Sequence, residues 1–429
     1  MSEGRPALGI DRFVDDPVRY AGGTRLALLT NQAAVLSDGR PTLEAMRASP
    51  HAGLVRLFTF EHGFSGFGED ARPVADDRDP RSGLARYSLY GPRRRPDPAL
   101  LADLDAVVVD VQEVGVRAYT YATTVALLLE AAAEAGTRVV VCDRPNLLGP
   151  RVAGPPLDPE RRSFLGYLDV PFQHGLTIGE AMRWHAAGAL GGTLNDTRAA
   201  ARGDARGDAR GAVPDLTVVP LHGWRRDRPG AFRPFVPPSP GLPSRDAVAL
   251  YPGLVLLEGV NVSEGRGTPA PFSLLGAPWL EGYALAEALN AMALPGLWAR
   301  PLDFLPESGP FAGRTCHGVQ LHVTDAAALR AFEAGVRILA HLRERHDDAL
   351  AWRDAADLPW SRDPDAGRVW HEPSRGPLVD GLTGGTDVRD VVDGRRSLDG
   401  ALEAWRAAGV AFAEAAGPAL LYPPPPEPR

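Results

Sequence analysis

Four short, almost wholly apolar runs constrain this chain more than any other feature: Arg25 to Thr30 (RLALLT), Leu54 to Phe60 (LVRLFTF), Ala106 to Val111 (AVVVDV) and Thr137 to Cys142 (TRVVVC). A strand with one wet face alternates apolar and polar residues, whereas these runs carry apolar side chains on both faces, as strands do when helices cover a parallel sheet on each side. Between the last two lies Tyr121 to Ala135 (YATTVALLLEAAAEA), ended by Gly136, which reads as the crossover helix of a βαβ unit. The pattern predicts an α/β fold with a doubly wound parallel sheet over residues 1–212. Residues 213–429 read as a second, smaller α+β domain that closes the cleft. Proline-rich Phe235 to Pro243 leads into it, and it contains a strand at Gly318 to Thr324 and a helix from about Ala326 to Arg345. The arginine-glycine-aspartate repeat at residues 199–212 reads as an exposed loop, and the proline-rich end from Tyr422 as an extended tail.

Composition removes whole classes of chemistry. All 46 basic residues are arginine, so no primary amine is present for a Schiff base, a pyridoxal phosphate anchor, a P-loop or a Ser-Lys dyad. Acid and base work therefore falls to carboxylates, histidine, tyrosine or water. A net charge of -8 argues against a nucleic-acid partner, and no apolar stretch is long enough for membrane insertion. Cys142 and Cys316 stand far apart with no metal-ligand spacing, so neither a structural metal nor a cofactor is expected. The start, MSEGRPALGIDRF, has no secretory pattern, which predicts a cytoplasmic protein as written and a secreted or periplasmic one if a leader has been removed.

In an open parallel sheet, ligands bind beyond the carboxyl ends of the strands. Those ends are unusually polar here. The second run passes into Glu61 and His62, the third into Asp110 and Glu113 followed by Arg117, Tyr119 and Tyr121, and the fourth into Asp143, Arg144 and Asn146. One acid at a strand end is ordinarily a helix cap or loop ion pair, but three such clusters on neighbouring strands point to a site. The first strand runs into Asn31-Gln32-Ala33-Ala34 with no G-x-G-x-x-G, which argues against a dinucleotide, and no G-x-S-x-G elbow is present. A glycine-rich loop in the second half adds Glu258, Asn261, Glu264 and Arg266, with Phe272 and Trp279 nearby, a set suited to an oxygen-rich ligand. A metal-dependent hydrolase or deacetylase built from Glu61, His62, Asp110, Asp143 and His174 is the other chemistry these side chains allow.

Ordered blocks extend this reading: TNQAAV from Thr30, EHGFSG from Glu61, YSLYG from Tyr87, DVQEVGVRAYTY from Asp110, DRPN from Asp143, GPPLDP from Gly154, HGLTIGE from His174, VPPSPGLP from Val236, the long run from Tyr251 to Trp279, and GVQLHVTD from Gly318. Through these the chain resembles the exo-acting β-N-acetylmuramidases, a glycoside hydrolase family first catalogued as a domain of unknown function. The resemblance implies a Rossmann-like N-terminal domain with an auxiliary C-terminal domain. It also implies release of N-acetylmuramic acid from the non-reducing ends of peptidoglycan-derived muramyl saccharides. Glycoside cleavage needs an acid with a raised pKa and a partner carboxylate. Glu61 is the first choice for an essential carboxyl, Asp110 and then Glu113 for its partner, and Glu264 could reach in from the second domain. The lactyl carboxylate of the sugar calls for a fixed cation; Arg266 is favoured over Arg117 and Arg144, which could instead pair with Asp110 or Asp143. His174 could orient a carboxylate or hydroxyl, or simply be a structural hydrogen-bonding residue.

Overall fold

The computed structural model describes residues 6–68, 72–189, 214–227, 235–354 and 376–423. Its centre is a seven-stranded sheet. In chain order the strands are β1 (Arg25–Thr30), β2 (Gly53–Thr59), β3 (Asp77–Arg78), β4 (Ala85–Ser88), β5 (Ala106–Asp110) and β6 (Arg138–Cys142). After the two-residue strands β7 (Val152–Ala153) and β8 (Gln173–His174), which pair with each other, β9 (Leu216–Val219) completes the sheet. The spatial order is β3-β4-β2-β1-β5-β6-β9, and every neighbouring pair is parallel except β3 with β4. The chain winds outward from β1 to β2 and β4, then returns to β5 on the other side of β1. The direction of winding thus reverses at β1, and open α/β sheets bind ligands beyond the carboxyl ends of the strands at such a switch point.

Both faces of the sheet are dry at its centre, along β1, β5 and β6, as the apolar runs require. Ala27, Leu29, Val107, Val109, Val139 and Val141 belong to one core, and Leu26, Leu28, Ala106, Val108, Val140 and Cys142 to another on the opposite face. The crossover helix runs from Thr120 to Ala135 and ends at Gly136, whose φ of 69° allows the left-handed turn that closes it. Its buried face, including Val125, Leu128 and Leu129, packs on the first of these cores.

The second domain holds an antiparallel sheet of β10 (Leu274–Ala277), β11 (Leu297–Phe304) and β12 (Cys316–Val323), in the order β10-β12-β11, with helices at Arg245–Leu254, Gly282–Ala291 and Ala331–Arg345. The last helix begins later than the sequence suggests, because Asp325 first closes a turn by accepting hydrogen bonds from the amides of Ala327 and Ala328. The central sheet does not stop at residue 212: β9 lies beyond that point and pairs with β6. Tyr422 also returns to the first domain, where its hydroxyl donates to Asp143 and accepts from the Leu221 amide. Residues 199–212 and those after Pro423 lie outside the described residues. Among the described residues no helix is long and apolar enough to cross a membrane.

Candidate active site

Glu61 stands just past β2. Its Oε2 accepts a 2.9 Å hydrogen bond from the hydroxyl of Thr120, the first residue of the crossover helix. Negative charge is favoured at that end of a helix, where the first amides have no partners within it. The next residue, His62, has φ 67°, an uncommon conformation for a side-chain-bearing residue, and such strain gathers at functional sites. His62 also closes the glycine-rich loop on itself: its Nδ1 lies 2.9 Å from the Gly68 carbonyl, and the Gly68 amide donates to the His62 carbonyl. Gly66, with φ 68°, presses this loop on the end of β1, where a Cβ would fall 2.3 Å from the side-chain amide carbon of Gln32.

Glu113 lies on the other side of β1, three residues past the end of β5, and is 3% exposed. Its Oε2 accepts from the Gly115 amide, while Oε1 is buried with no hydrogen-bond partner. Burial pushes this carboxyl up to about 8, against the lowering effect of the amides of Gly115, Val114 and Val116, so the proton stays on at neutral pH. His174, at the end of β8, is held opposite Gly115 through its own backbone amide. Its Nδ1 accepts from the Leu176 amide, which assigns the hydrogen to Nε2, and that atom too is buried without a partner. Burial, then the charge of Arg117, pushes the imidazole down to about 3, so it is neutral.

Buried polar atoms in folded proteins are paired in the great majority of cases. At this rim Thr30 Oγ1, Asn31 Nδ2, Gln32 Oε1, Glu113 Oε1 and His174 Nε2 are all buried without hydrogen-bond partners. Three of these atoms belong to consecutive residues at the carboxyl end of β1, the switch point of the sheet. Asn31, Gln32 and Thr120 were absent from the sequence-derived site, although TNQAAV stood out as a block; an asparagine after a strand reads by itself as a turn residue.

The remaining rim residues are committed elsewhere. Asp110 shares its face of β5 with Ala106 and Val108 and is fully buried. Arg144 grips it with two hydrogen bonds, of 2.6 and 2.8 Å, and the Thr42 hydroxyl donates to it as well. Asp143 accepts from the Arg144 and Gly179 amides and from the hydroxyls of Thr177 and Tyr422; burial, then the charge of Glu180, raises it to about 7. Asn146 bonds the Leu176 carbonyl and the Leu148 amide. Arg117 pairs with neither Asp110 nor Asp143 but donates to the carbonyls of Pro155, Val170 and Thr383, tying the two domains together. Asn261 clamps the backbone of Ala349 and Ala351. Among the described residues no three of His, Cys, Asp and Glu gather as metal ligands, so the donor set for the metal-dependent reading is dispersed.

An aromatic wall joins the rim to the second domain. Phe60 packs on Tyr121 at 4.7 Å, Tyr121 on Tyr119 at 4.6 Å, Tyr119 on Tyr251 at 6.0 Å and Tyr251 on Phe272 at 5.0 Å. Arg266 caps the wall, its guanidinium 4.8 Å from the Phe272 ring centre, and bridges Glu258 at 2.6 Å and Glu264 at 3.0 Å. Trp279 instead packs against His346.

Comparison with known proteins shows the family. Residues 26–246 match the family model described as the N-terminal part of exo-β-N-acetylmuramidase NamZ, and residues 249–422 match the one for its C-terminal part. The chain belongs to the exo-β-N-acetylmuramidase family. Within that family, the peptidoglycan β-N-acetylmuramidase NamZ of Bacillus subtilis is 34% identical over 388 residues, covering 90% of this chain and 86% of its own. A DUF1343 family protein from Bacteroides fragilis superposes with a TM-score of 0.77 at 27% identity, covering 98% of this chain and 99% of that one. A second protein of that description from the same organism shares the fold, with a TM-score of 0.69 at 24% identity and the same coverage. The two exo-β-N-acetylmuramidase models meet between residues 246 and 249, just inside the helix Arg245–Leu254 that follows the proline-rich segment.

Proposed function

We propose that this chain is an exo-acting glycoside hydrolase that releases N-acetylmuramic acid from the non-reducing ends of peptidoglycan fragments, with Glu113 as general acid and Glu61 as its partner carboxylate. The observation that carries the assignment is the contrast between the two acids on either side of β1. Glu113 is buried, protonated up to about pH 8, and presents an uncommitted oxygen. Glu61 is less buried and sits at a helix N-terminus beside a hydroxyl donor, where negative charge is favoured. A buried acid that keeps its proton, beside a second and less buried carboxyl, is the pairing that glycoside cleavage uses. As the bond between the anomeric carbon and the leaving oxygen breaks, the Glu113 proton moves to that oxygen. The Glu61 carboxylate stabilises the positive charge developing on the sugar ring, a water from solvent adds its oxygen to the anomeric carbon, and the proton that water releases restores Glu113.

The partners of Asp110 favour Glu113 ahead of it, although the sequence places Asp110 first. Asp110 has its carboxylate consumed by Arg144 and Thr42 and serves to fix the rim. Arg266, shared between Glu258 and Glu264, lies over the Phe272 ring and stiffens the aromatic wall. The test offers wild-type protein a chromogenic β-glycoside of N-acetylmuramic acid beside its N-acetylglucosamine counterpart, together with the Glu61→Gln variant. Turnover of the muramic substrate alone, reduced at least about a hundredfold by the substitution, is the expected result. Equal turnover of both sugars contradicts the substrate assignment, and cleavage of neither contradicts the activity.

A further inference from the structure

The two carboxyls flank a residue that neither needs for its own placement. Asn31 follows β1 directly, and β1 lies between β2, which leads to Glu61, and β5, which leads to Glu113. Its side chain is 3% exposed. The amide is oriented: Oδ1 accepts a 3.1 Å hydrogen bond from the Ala33 amide, so Nδ2 is the end left over, and it is buried without a partner. An amide held by one end with a dry donor at the other carries a desolvation penalty that an arriving acceptor relieves. The loop that follows Glu61 lies against the neighbouring Gln32, which places the end of β1 beside the acid rather than in a remote turn.

From these positions we infer that Asn31 reads the substituent at C2 of the sugar, donating from Nδ2 to the carbonyl oxygen of the 2-acetamido group. The inference rests on the glycosidase reading above. The acid and its partner must bracket the anomeric carbon, so a donor on the strand between them meets the neighbouring carbon, C2. In N-acetylmuramic acid that carbon bears an amide whose carbonyl is a strong acceptor. A neutral amide suits the task, since a cation there would bind to Glu61 and a carboxylate would repel it. Asn31 is a specificity-determining residue in this scheme: a site built to pair a buried polar group discriminates strongly against an analogue lacking the complement.

The test measures binding separately from turnover. Wild-type protein, Asn31→Asp and Asn31→Ala are titrated calorimetrically with N-acetylmuramic acid and with 3-O-lactylglucose, which carries a hydroxyl at C2; hydrolysis of the chromogenic muramic glycoside by the wild type is followed in parallel. Asn31→Asp keeps the acceptor for the Ala33 amide and removes the donor, while Asn31→Ala removes both without adding charge; thermal unfolding checks that each is folded. The expected result is tighter wild-type binding of the acetylated sugar, weakened about ten- to a hundredfold in both variants. Binding of 3-O-lactylglucose is expected to change less than threefold or so. Equal losses on both sugars, or no loss on either, overturn the inference, as does wild-type protein that binds neither sugar. Wild-type protein that binds but does not hydrolyse overturns the glycosidase reading instead, and the role of Asn31 is then decided by the binding measurements alone.

Discussion

Glu113 holds its proton at a cost that depends on pH. Its carboxyl rises from 4.5 to about 8 on folding, so between those values the native state retains a proton that the unfolded chain has released. Stability from this group is therefore fully present below about pH 4.5, and falls as pH rises through about 8, because the unfolded state ionises freely and the buried acid does not. Glu113→Gln is expected to raise the melting temperature relative to wild type more at about pH 9 than at about pH 5, an increment that a neutral isostere supplies by removing the ionisation penalty. A pH-independent difference would contradict the burial argument. Sequence order brought both Glu61 and Glu113 into view, since each follows an apolar run. It did not separate Glu113 from Asp110, because the side chains that occupy Asp110, Arg144 and Thr42, come from distant segments. Asn31 was hidden for a related reason: an asparagine's open donor appears only once its acceptor is seen to be occupied.

At the scale of elements, the rim is held by a buried ion pair. Arg144, on the loop after β6, reaches Asp110 on β5 and also donates to the Val35 carbonyl after β1, so one side chain fixes three strand ends. Arg144→Ala leaves the Asp110 carboxylate buried without its counter-charge and should destabilise the fold by about 3–5 kcal/mol in denaturant titrations. A loss within experimental error would mean that water replaces the guanidinium. In the central sheet, the strands that the sequence disclosed, β1, β2, β5 and β6, are those with near-continuous apolar runs, where composition alone marks them. The ones it missed carry no such mark: β3 is two exposed residues, β4 is half-buried, and β9 follows a long polar repeat. Edge strands are specified by their neighbours, which one-dimensional patterning does not record.

For the molecule as a whole, the segment at Leu421 and Tyr422 is bound back into the first domain. Tyr422 packs edge-on against Trp224 at 4.9 Å while its hydroxyl donates to Asp143, and the Leu421 amide donates to Glu180. Arg226 completes this buried cluster by pairing with Glu180. Tyr422→Phe keeps the ring and removes the hydroxyl from Asp143 and from the Leu221 amide, a loss of about 1–3 kcal/mol that equilibrium unfolding would register with turnover at saturating substrate unchanged. An unaltered stability would show that this segment merely rests on the domain. The fold thus brings Glu113, a buried acid that keeps its proton, and Glu61, beside the start of the crossover helix, to opposite sides of one strand. The pH dependence of kcat/KM on the chromogenic muramic glycoside tests that claim most directly. Wild-type activity is expected to decline above about pH 8, as Glu113 gives up its proton. Glu113→Gln is expected to lose at least about a hundredfold and to lack that decline, whereas a near-normal rate with the same alkaline limb would contradict the account.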